Sequence, residues 1–184
     1  MKIAAGFKAH SGWAALVVIG SSNGGFVVVD RRRIELVDEA WAKQPYHAAE
    51  DLPAAEARNL VQRGIDSAHA IAEREMRAFV KRSTDAGHEI AGCAVLVGTE
   101  MPDWTVEQIL SVHVRMHKAE GVLFPTALAL AADHCGLNVG TFVEKNLPAM
   151  YTGTLAKLGK SVGPPWGKDQ KNAALAAMIV LNGG

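Results

Sequence analysis

His113, His117 and Glu120 stand at i, i+4 and i+7, a spacing that sets three potential ligands along one side of a helix. Two imidazoles and a carboxylate could bind a transition metal. The same spacing also fits a solvated helix face beside a core stripe of Val112 and Met116, with Arg115 and Lys118 nearby. No fourth ligand is evident and no His-Glu-x-x-His motif is present, so the solvated face is the expectation and no bound metal is expected. A second polar group, Lys8, His10 and Ser11, follows a short apolar run and could hold a phosphate through Lys8 and exposed turn amides. Arg31-Arg32-Arg33 is the one dense basic run. Strand alternation sends Arg31 and Arg33 to one face, where a small basic patch could contact phosphates or keep an edge strand soluble.

Other reactive residue types read as structural. Cys93, in Gly92-Cys93-Ala94, is a small buried hydrophobe, and with Cys135 it makes two buried thiols rather than a disulfide framework. The segment Gly20–Gly25 lacks the Gly-Lys-Ser/Thr ending of a phosphate-binding loop and reads as a hairpin turn around Asn23-Gly24. Trp104 and Trp166 fall in loops, as covers over the sheet rather than base-stacking platforms.

These residues need elements to position them. Ile3–Phe7, Trp13–Ile19 and Phe26–Val29, the last continuing through Ile34 and Leu36, read as an antiparallel meander. Pro45 sits in a connection from Trp41 to Asp51. A long amphipathic helix follows Leu52-Pro53 and closes at Gly87. Ile90–Val97 is a buried strand. Thr105 and Gln108 are in capping-box register for a helix that carries Ile109, Val112, Met116 and Ala119 inward. Gly121 and Pro125 interrupt that helix, and Thr126–His134 completes it. Leu137–Val143 is the last strand. A loop from Gly159 to Gly167 precedes a helix from about Asp169 to Leu181.

At 184 residues, with 49% hydrophobic and 21% charged residues, the chain is one globular domain spanning 1–184. Nineteen basic residues balance nineteen acidic ones, so no whole-chain positive field draws it to nucleic acid. MKIAAGFKAH lacks a signal-peptide layout and no stretch approaches a membrane span, so a cytoplasmic protein without membrane contact is expected.

The order of elements resembles the ribonuclease H-like fold, a mixed five-stranded sheet with helices on both faces, and the RuvC-type resolvases within it. Gly6-Phe7-Lys8-Ala9-His10-Ser11-Gly12-Trp13-Ala14 looks like that family's first strand and turn. The tail from Pro164 to Ala176 looks like its Pro-containing loop and Asp-x-x-Asp-Ala-Leu-Ala helix start. Nucleases of this fold gather three or four carboxylates around two divalent cations. The resemblance puts Lys8 at the first-strand carboxylate position and Asn172 beside Asp169 at the last-helix pair. Glu100, just past the fourth strand, is the nearest remaining candidate. A lysine at the centre opposes a cation by like-charge repulsion, and Lys8 is expected to pair with Asp169. The resemblance thus implies a non-catalytic nucleic-acid-binding or structural module without a cofactor. The alternative is an active structure-selective nuclease using Asp169 and Glu100 with magnesium or manganese. A protein-interaction homodimer is the second alternative. Apolar residues spread around the Thr105–Gly136 segment, among them Leu123, Phe124, Leu128 and Leu130, point to self-association.

Overall fold

The computed structural model describes residues 1–22 and 24–183, so the expected turn residue Asn23 lies outside the described residues. In chain order the elements are β1 (Lys2–His10), β2 (Trp13–Ser22), β3 (Gly25–Glu35), α1 (Pro45–Ala48), α2 (Ala54–Asp85), β4 (Glu89–Val97), α3 (Val106–Leu110), α4 (His113–His134), β5 (Val139–Val143), α5 (Thr152–Val162) and α6 (Lys168–Gly183). The five strands form one sheet in the order β3-β2-β1-β4-β5. β1–β2 and β2–β3 pair antiparallel, whereas β1–β4 and β4–β5 pair parallel. This is the mixed sheet that the resemblance implied.

The period of two along the strands sorts residues between two cores. Ile3, Ala5, Phe7 and Ala9 of β1 pack with Leu16 and Val18 of β2 against α2 and α4, through Met76, Phe79, Phe124 and Leu128. On the other face Ala4, Val17 and Ile19 meet Ala173, Ala174, Ala177 and Met178 of α6. Helices therefore cover both faces. Gly6 lets α6 come unusually close: a Cβ there would lie 1.9 Å from the Ala173 carbonyl oxygen. No helix among the described residues is long and apolar enough to cross a membrane.

Four local expectations are corrected. The capping box at Thr105 and Gln108 forms, yet its helix ends at Leu110, and Val112 is exposed rather than inward. The next helix, α4, then runs without a break through Gly121 and Pro125. A proline inside a helix costs about 3 kcal/mol, because it lacks an N–H and crowds the carbonyl four residues back. Here that residue is Gly121. Burial of Leu123, Phe124, Ala127 and Leu128 around the proline outweighs the cost. Those contacts take up most of the apolar surplus that pointed to a homodimer, leaving Leu130 and Val114 exposed on α4. Helix α5 occupies part of what the sequence offered as a loop. Of the two thiols only Cys93 is buried, and burial pushes it up to about 12, while Cys135 is half-buried.

Candidate functional site

Even-numbered residues of β1 face α6, so the parity that buries Ala4 and exposes Gly6 to Ala173 carries Lys8 and His10 to the first turn of that helix. Lys8 Nζ donates to Glu144 Oε2 at 2.6 Å. Asn172 Nδ2 donates to Glu144 Oε1 at 3.0 Å, and Lys168 Nζ lies 3.7 Å from the same oxygen. Two residues further along β1, His10 Nε2 stands 3.0 Å from Asp169 Oδ2. The His10 ring stacks on Trp13, and the Arg33 guanidinium also packs on that indole, 4.1 Å from its centroid.

The expected Lys8–Asp169 pair is therefore replaced by two pairs. Asp169 lies one helical turn before Asn172 and meets His10, while the carboxylate that reaches Lys8 comes from Glu144. Glu100 does not join them. It is exposed beyond β4 and lines a separate pocket with Thr99 and Met101. Glu144 had a signal in the sequence, since it follows directly on the last strand, and side chains at the carboxyl ends of parallel strands converge on one crevice in such sheets. That crevice is present, a cavity of about 240 Å³ lined by Lys8, Gly98, Thr99, Gly121, Glu144 and Lys145.

The electrostatics of the cluster are internally closed. Burial pushes the Glu144 carboxyl up. The Lys8 hydrogen bond and charge, the Asn172 amide and the Lys168 charge outweigh it and hold the group below its ordinary value. An ammonium already occupies the space between the carboxylate of Glu144 and the end of β1. Hard divalent cations need converging oxygen ligands. The residues here do not fit a two-cation hydrolytic centre: one carboxylate is bound to Lys8, the other to His10, and Asn172 supplies an amide.

The other candidates divide in the same manner. Arg31 is engaged as a brace rather than free for phosphate. Its guanidinium donates to the carbonyls of Gly163 at 2.7 Å and Pro165 at 2.6 Å, with longer contacts to Val162 and Pro164. Arg33 pairs with Glu35 at 2.5 Å and remains half exposed. Ser11 is exposed in the β1–β2 turn. Trp166, expected as a cover over the sheet, packs instead on α5: its Nε1 donates to the Leu155 carbonyl at 2.9 Å and the ring lies against Gly159.

The HxxxHxxE residues do not form one exposed line. Glu120 is 4% exposed and turns inward toward α1. It accepts from the His47 backbone N–H at 3.1 Å and from Gln44 Nε2 at 3.3 Å, and its Oε2 lies 2.7 Å from His47 Nδ1. His47 had no place among the sequence candidates, because its segment read as a connection without chemistry. Its ring centroid stands 5.0 Å from that of His113 and 4.7 Å from that of His117. Between the two helix-borne histidines the Nε2 atoms are 3.1 Å apart. Among the described residues, His47, His113 and His117 bring one potential ligand atom each within 4.8 Å of the others.

No family model matches the chain and no curated protein does. Solved structures do. RuvC from Thermus thermophilus, in complex with a Holliday junction substrate, superposes with a TM-score of 0.51 at 12% identity, over 100% of this chain and 93% of that one. A second structure of Thermus thermophilus RuvC gives 0.52 at 12% identity, over 98% and 92%. At such identity the likeness establishes the fold: the chain has a RuvC-like, ribonuclease H-like fold.

Proposed function

We propose that this protein is a non-catalytic nucleic-acid-binding module built on the RuvC-like fold. The observation that carries the reading is the 2.6 Å contact of Lys8 with Glu144, which places an ammonium among the polar groups at the carboxyl ends of β1 and β5. One fixed positive charge there balances a carboxylate without a divalent ion, while Asn172 engages the other Glu144 oxygen and His10 engages Asp169 Oδ2. Several exposed cations stand around this closed cluster. Lys145 lines the crevice, Lys168 and Lys171 are exposed on the first turn of α6, and Arg33 and His10 flank them across Trp13. Phosphates are the ligands that such a rim attracts, and the RuvC of the comparison holds a Holliday junction on the same fold.

The test is fluorescence anisotropy with labelled duplex and four-way-junction DNA at rising salt, with a cleavage assay in magnesium and in manganese. Binding in the micromolar range that weakens with salt is expected, with no cleavage. Lys145→Glu and Lys168→Glu should each weaken binding and lower the salt slope by about 1 per lost phosphate contact. Metal-dependent cleavage abolished by Asp169→Asn would overturn the reading in favour of an active nuclease. Failure to bind DNA or RNA at low salt would overturn it in favour of a protein-interaction module, which sedimentation of a stable homodimer would identify.

A further inference from the structure

We infer that His47, His113 and His117 form a binding site for a divalent transition metal of the zinc class. The two helix-borne imidazoles face each other through Nε2 atoms 3.1 Å apart. Two nitrogens bound to one tetrahedral zinc at about 2.0–2.1 Å stand about 3.3 Å from each other, so only a small adjustment admits the ion. A hydrogen bond between two imidazole nitrogens uses the lone pair of one of them, the same lone pair that ligates a metal.

The third ring is held by a built support. Glu120, 4% exposed, accepts from the His47 backbone N–H and lies 2.7 Å from Nδ1 of the ring. A carboxylate at Nδ1 fixes the tautomer with the proton on that nitrogen and leaves Nε2 as a lone-pair donor. This is the outer-shell arrangement that orients metal-binding histidines. Glu50 Oε1 lies 4.0 Å from His113 Nδ1 and can serve the second ring similarly. A carboxylate satisfied by His47 alone would need neither of the other rings, yet both project from α4 onto the same point.

Three nitrogen donors without a thiolate exclude the magnesium class, which prefers oxygen, and favour zinc, cobalt, nickel or copper. A three-histidine set leaves a fourth position for water or an exchangeable ligand. The site is independent of the Lys8 cluster.

The experiment is calorimetric titration of tag-free, chelator-treated protein with zinc alone, repeated with cobalt to read its ligand-field absorption. One equivalent should bind. His113→Asn and His117→Asn, both on exposed positions, should each weaken binding by at least about 100-fold while circular dichroism is unchanged. Glu120→Gln should weaken it by about 10–100-fold. Absence of saturable zinc binding, or equal affinity in the His113→Asn/His117→Asn double variant, would overturn the inference. Neither result bears on DNA binding, so the two proposals fail separately.

Discussion

Lys8 and Glu144 lie 136 positions apart and meet at 2.6 Å, each with less than a quarter of its side chain exposed. Truncating Lys8 to Met leaves a partly buried carboxylate with Asn172 and the distant Lys168 as its partners. Loss of a charge-assisted hydrogen bond of this kind costs about 1–3 kcal/mol. A thermodynamic cycle of Lys8→Met, Glu144→Gln and the double variant should show coupling of about 1 kcal/mol or more in denaturant unfolding. Additive single effects would contradict the pairing.

The same contact sets an acid response. Glu144 is held below its ordinary value in the folded state. Its contribution is thus complete above the unfolded carboxyl value of about 4.3, and is lost as pH falls through the lower folded value. Wild type should lose melting temperature more steeply than Glu144→Gln between about pH 5 and pH 3. Parallel curves would show that the group adds nothing in that window.

Restoring carboxylates should restore a cation site. Lys8→Asp with Asn172→Asp places two new carboxylates beside Glu144 and Asp169. Millimolar magnesium or manganese should then stabilise the variant by about 1 kcal/mol, a rise of about 2–4 °C, because a ligand bound only by the folded state acts by mass action. The unmodified protein should show no shift. Differential scanning fluorimetry checks both.

One substitution has opposite signs at two glycines. Gly6→Ala drives a methyl to 1.9 Å from a backbone oxygen of α6, and neither strand nor helix can yield cheaply. It should destabilise by about 3 kcal/mol or more. Gly121→Ala meets nothing within 4 Å in the middle of α4, and should stabilise by up to about 1 kcal/mol. Urea unfolding of both variants separates close packing from helix propensity.

Arg31 braces the loop before α6 through four carbonyls. Arg31→Lys cannot reproduce that fan of donors. Hydrogen exchange should accelerate at Gly163 and Gly167 in this variant, with a stability loss of about 1–2 kcal/mol. Unchanged exchange there would remove the brace.

What the chain could state about itself was what neighbouring residues decide. The short apolar run Ile3–Phe7, the capping box of Thr105 and Gln108, and the helix stop at Gly87, whose φ is +72°, are fixed by steric and hydrogen-bonding rules within a few residues. The element order those rules produced was enough to indicate the sheet. Helix α4 escaped them, because the burial that overrides Pro125 comes from distant elements. The sites escaped for the same reason. Asp169, Lys8 and Asn172 were legible as positions, but which carboxylate meets which cation depends on how α6 settles over Gly6 and where β5 ends. His113 and His117 announced their spacing, whereas their third partner sits on α1 and is turned toward them by Glu120. Local chemistry is written in spacing; pairing across the fold is a consequence of packing, and only the folded chain determines it.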